Sequence, residues 1–191
     1  MNQHFQNYIS LHGDLIQLLL FIGLFFISWN IENIYGVLFK YKKWKHAFLN
    51  APFIITNFPG MLLLGMAFVE VIKWTSTHRF GLLYHFHINK DPILLFLSTF
   101  ILLDFGEYIY HVIMHKVQTL WRFHLVHHSD NTVDISTTLR EHPGENIIRL
   151  SFTLLWVFLS GAIFWTLLLR QIIQVFTTMF AHINYRLPEN L

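Results

Sequence analysis

The sequence predicts an all-α protein: an integral-membrane helical bundle of three spans plus a membrane-dipping helical hairpin, with a histidine-bearing cap on the cytoplasmic side. Three observations predict it. Hydrophobic residues make up 54% of the 191 residues and charged ones only 13%, where a soluble domain carries about 25% charged residues. Apolar runs long enough to cross a roughly 30 Å hydrocarbon core recur along the chain. Five of the thirteen histidines lie between His111 and His128, at the end of one of those runs. The net charge of +2, with Lys and Arg dispersed, gives no footing for a nucleic-acid partner. With no Cys there is neither a disulfide framework nor thiolate ligation. Any bound metal is therefore held by His and carboxylates.

The first apolar run extends from Leu15 to about Tyr35. The residues before it lack a basic n-region and no small-residue cleavage site follows, so it reads as a retained membrane helix and not a signal peptide. Lys40, Lys42, Lys43 and Lys45 come next; a short lysine-rich loop beside a span marks the cytoplasmic side. The second run is Ala51–Trp74, with Asn57, Pro59 and Gly60 near its start and Glu70 near its far end. Residues 75–91 read as a connection whose His78, His85 and His87 are loop histidines. The first 91 residues thus form an N-terminal helical part, and 92–191 the part that carries the chemistry.

Asp91-Pro92 is a natural helix entry, with Pro at the first helical position, and the third run continues to about His115. Asp104, Tyr108, His111 and His115 follow one another at offsets of 4, 3 and 4, a single stripe down that helix. A carboxylate is expensive in a bilayer. Asp104 either orients an imidazole through its free N–H or makes a structural hydrogen bond to another helix. His124, His127 and His128, spaced i, i+3, i+4, lie on one face of a further helix. Two helical faces presenting converging imidazoles make a metal site, because neutral imidazole is a good ligand for iron, copper, nickel and zinc. Span parity brings the histidines to the cytoplasmic side, where soluble reductants are found. Residues 116–149 then form the cap, with His142 in it beside Glu141 and Glu145.

The last stretch poses a geometric question. Residues 150–169 are uncharged and long enough to cross, but a crossing would strand His182 near the far face, since nine helical residues return only about 14 Å. A bend near Ser160-Gly161 makes a hairpin instead, whose second arm, about 162–181, brings His182 back to the other histidines.

These residues carry a resemblance. HVIMH (111–115), LWRFHLVHHS (120–129), DISTTLREHPGE (134–145) and AHIN (181–184), in this order and preceded by Asp104 and Tyr108, resemble the fatty acid hydroxylase/sterol desaturase superfamily of integral-membrane di-iron enzymes. The resemblance covers about residues 92–190. It implies two iron ions, with zinc as a possible substitute, bound by His111, His115, His124, His127, His128 and His182; His142 matches a recurrent family position. Asp104, Tyr108 and Glu145 are the candidate side chains behind these ligands. It also implies O2-dependent hydroxylation or desaturation of a membrane lipid, sterol or fatty-acyl in type. Electrons come from a separate redox donor protein, since no GxGxxG fingerprint is present. The absence of HExxH argues against a zinc protease. The family normally has another HxxHH box after the segment matching AHIN, and the chain reaches Asn190-Leu191 before one. The alternative expectation is therefore a truncated, non-catalytic metal-binding relative.

Overall fold

A computed structural model describes residues 19, 22–23, 25–32 and 43–184, apart from the side chain of Asn89. The described residues are helical or in short turns. Residues 19, 22–23 and 25–32 are helical, and the other residues of the expected first span lie outside the described residues. The elements that follow are α1 (Lys43–Asn50), α2 (Pro52–His78), α3 (Leu82–His85), a 3-10 turn (Ile88–Lys90), α4 (Pro92–Lys116), α5 (Gln118–His128), a second 3-10 turn (Ile135–Leu139), α6 (Pro143–Ser160) and α7 (Phe164–His182). Among the described residues, three helical segments are long and apolar enough to cross a membrane: Lys43–His85 with α2 at its centre, α4, and α7.

Local chemistry sets the boundaries. Pro52, Pro92 and Pro143 each stand in a first helical turn, where a missing N–H costs nothing. The Asp91 carboxylate caps α4, accepting from Ile93 N at 2.8 Å and Leu94 N at 3.0 Å. The expected bend is at Gly161, whose φ of 71° ends α6 in the left-handed conformation. Gly81, at φ 116°, packs backbone to backbone against it: a Cβ on Gly81 would lie 2.4 Å from Gly161 N. The hairpin is thus pinned by two residues that have no side chain. Its second arm is α7, Phe164–His182, close to the expected 162–181. At 19 residues, α7 is about 28 Å long and can cross on its own.

α2 packs along α6, α4 against α6 and α5, and α7 against α4. Close approach is again made by small residues: Gly106 of α4 lies so near the Trp156 ring that a Cβ would fall 2.5 Å from it. The outer face of α2 exposes Ile55, Phe58, Leu62, Leu63 and Met66, as a lipid-facing surface should. At the opposite end from the Gly81–Gly161 contact lies the cap, where Trp29, Ile135 and Met179 form a buried cluster. Glu32, in the run expected to span, is a cap residue. Its Oε1 accepts from Ile135 N at 2.7 Å and Asn184 N at 2.8 Å, and its other oxygen pairs with Lys43 at 2.9 Å.

Candidate metal centre

His111 and His115 come from the last turns of α4, and His124 and His128 from α5. One ligand nitrogen from each lies within 4.8 Å of every other. His115 Nε2 is 3.1 Å from His111 Nε2, and His128 Nε2 is 3.1 Å from His124 Nε2. Nitrogens about 2.1 Å from a shared ion are separated by roughly 3 Å, as within each of these two pairs, and the four together could hold a metal ion.

The tautomers can be read from the acceptors. Buried His124 directs Nδ1 at the Glu145 carboxylate, which leaves its Nε2 lone pair turned toward the other imidazoles. His127 donates from Nδ1 to the carbonyl of Arg140 at 3.2 Å, and His182 from Nδ1 to the carbonyl of Thr178 at 2.8 Å. Carbonyls only accept, so both Nε2 atoms of this second pair carry lone pairs. They face each other at 3.3 Å. Neutral rings so arranged cannot hydrogen-bond to one another; a cation between them satisfies both.

Burial, then the neighbouring His128 and His115, lowers the pKa of His124 to about 4. Burial and then His182 lower His127 to about 4, and burial with His115 lowers His128. These rings are neutral at neutral pH, the form that binds metal. Burial, followed by the charge of Glu141, pushes the Glu145 carboxyl up to about 7. Trp121 covers one side of the quartet, its ring centroid 4.9 Å from His115 and 5.5 Å from His128.

The structure therefore gathers His111, His115, His124 and His128 at one point, and His127 with His182 beside them. His142 stands apart: it caps α6, its Nδ1 accepting from Gly144 N at 3.0 Å, and its ring lies over Phe123. His78 ends α2, His85 ends α3 and His87 follows it, so the first two are helical and not in a loop; all three are exposed. Asp104 pairs across helices with Arg170, at 3.8 Å, and makes no hydrogen bond to a histidine among the described residues. Tyr108 is 63% exposed. Tyr110, two residues on and not singled out by sequence, is the tyrosine that reaches inward, donating to Glu145 at 3.1 Å. Sequence reasoning also missed the support behind the cap, where His46 of α1 bridges Asp134 (2.8 Å) and Asp130 (3.0 Å). Arg140, whose carbonyl orients His127, is fastened through Nε to Val126 O at 2.8 Å. The DNTVDISTT run, rich in residues that hydrogen-bond their own backbone, was the available signal.

Fold and site together define a multi-helix membrane protein with a histidine-built candidate metal centre at one end of its bundle. The sequence profile described as "Fatty acid hydroxylase" matches residues 96–191, half of the chain, and takes in every histidine of both groups. The chain belongs to the fatty acid hydroxylase family. It is similar to the human alkylglycerol monooxygenase, 32% identical over 88 residues, which is 46% of this chain and 19% of that protein. The matched part thus spans about a fifth of that relative's length. No solved structure matches the chain.

Proposed function

We propose that this chain is an O2-dependent membrane monooxygenase that hydroxylates a lipid, with two iron ions held by His111, His115, His124 and His128 in one site and by His127 and His182 in the other. The observation that carries it is the pair of opposed Nε2 lone pairs on His127 and His182 beside a converging quartet. A monooxygenase among its relatives favours hydroxylation over desaturation. Bound iron supplies the oxidation of an unactivated C–H bond, which side chains cannot perform.

The protein's own residues do the rest. Glu145 and the carbonyls of Arg140 and Thr178 hold the ring orientations. Tyr110 fixes the Glu145 carboxylate in turn, and the apolar helices admit the lipid laterally. The lysine-rich stretch at 40–45 supports a cytoplasmic side for the centre, where a separate electron donor would reach it.

The test is metal content and lipid turnover of the purified protein with an added reductant system. His124→Ala or His128→Ala should lower bound iron sharply, and His85→Ala should leave it unchanged. Equal losses from all three would remove the site as drawn.

A further inference from the structure

A cavity of about 450 Å³ runs between α2, α4, α6 and α7, beneath the cap. Its size lies in the range of roughly 300–1,000 Å³ typical of sites that enclose one small ligand. Its two sides differ in chemistry. α2 lines it with Met61, Gly65, Phe68, Val69 and Ile72. α7 lines it with Arg170, Gln174 and Thr178, one residue per turn, and the next residue of that stripe is His182.

Arg170 is only 4% exposed, yet its Nε and Nη2 have no hydrogen-bond partner. Its Nη1 donates to Gln174 at 2.8 Å, and Asp104 at 3.8 Å is near enough to pair but too far to accept. Buried donors left unmade are costly, and a charged group at this depth in a bundle marks a site where something polar is handled.

The charge of the wall selects the ligand. Three ionisable side chains line the cavity: Glu107, Arg149 and Arg170. Arg149 is already matched by Glu141 at 2.7 Å. That leaves one guanidinium facing Glu107 in the wall, so an anion entering beside Arg170 would also meet a carboxylate. A neutral hydroxyl or ether oxygen accepts from Arg170, and a hydroxyl also donates to Glu107.

We propose that this cavity binds a single-chain lipid whose uncharged, oxygen-bearing end is held by Arg170 and Glu107, with its hydrocarbon against α2. Its bearing on catalysis rests on the lipid-hydroxylase reading, but binding can be measured without turnover and with or without metal. A failed binding test and a failed metal test are thus separate results.

The experiment is retention of monoolein and of oleate by the full chain in detergent, read by native mass spectrometry, with metal uptake measured on the same samples. Monoolein should be retained in preference to oleate. Arg170→Gln should lower its affinity roughly tenfold or more, the loss expected on removing a charged donor, with metal uptake unchanged. Gly65→Phe tests the site independently of any charge. A Cβ on Gly65 meets nothing within 4 Å, so the ring enters open space, and it should displace the lipid while leaving fold and metal uptake intact. Preference for oleate, unchanged retention by Arg170→Gln, or unchanged retention by Gly65→Phe would each overturn the proposal.

Discussion

The Nδ1 of His124 on α5 is hydrogen-bonded to Oε1 of Glu145 on α6, twenty-one residues later and buried. The bond ties the histidine-bearing helix α5 to the first arm of the hairpin and fixes which nitrogen of His124 carries the free lone pair. Glu145→Gln keeps the size of the side chain but removes the charge that holds the Nδ1 proton. Metal affinity should fall about 10- to 100-fold, the usual cost of losing such a partner. Competition with a chelator checks it. An affinity unchanged from wild type would show that the carboxylate does not orient the ring.

His127 and His182 would form the smaller site of the proposed centre. His182→Ala should lower bound iron by about half and leave the four-histidine site filled, since the two sites use different nitrogens. Metal analysis per chain decides this. Loss of all iron would mean that the two sites are one cooperative unit.

The Gly81–Gly161 contact leaves no room for a methyl. Gly161→Ala would place a Cβ 2.3 Å from the Phe80 carbonyl oxygen and hold an alanine at φ 71°. Strain of this kind costs about 1–3 kcal/mol before the overlap is counted. The variant should be destabilised by at least about 3 kcal/mol in thermal or denaturant unfolding in detergent. Combined with Gly81→Ala the loss should be less than additive, because both act at the same contact.

Glu32 is 6% exposed and anchors the cap from a part of the chain that carries no motif. Glu32→Ala leaves the Ile135 N–H without its acceptor and removes the carboxylate beside Lys43. A cost of about 3 kcal/mol or more follows from a buried donor and a broken ion pair. Hydrogen exchange at Ile135 should rise with it; an unchanged rate would show that the cap holds without Glu32.

Much of this architecture was legible in the residues, and the exceptions have a common cause. His111, His115, His124 and His128 are neighbours within their own helices, so spacing alone shows that each pair shares a face. The bend at Ser160-Gly161 was readable because glycine is the residue that ends a helix in the left-handed conformation, and because His182 had to return. Asp104 was harder. Its stripe is real, but a stripe does not say which helix faces it, and the partner is Arg170, sixty-six residues away. The same applies to Tyr108 and Tyr110. Both lie near the histidines in sequence, and only the packing of α4 on α6 turns Tyr110 inward to Glu145. Glu32 was hidden by the apolar residues around it, since hydropathy averages over a window and a single buried carboxylate barely moves the mean.

Trp121 has a consequence for anyone handling the protein. An indole whose ring centroid lies within 6 Å of those of His115, His124 and His128 is a fluorophore beside the imidazoles that would hold a d-block ion. Its emission should be quenched as that ion enters and recover as it leaves. With six tryptophans in the chain, the difference between wild type and Trp121→Phe isolates the one that reports, so occupancy can be followed optically, in real time and without labels.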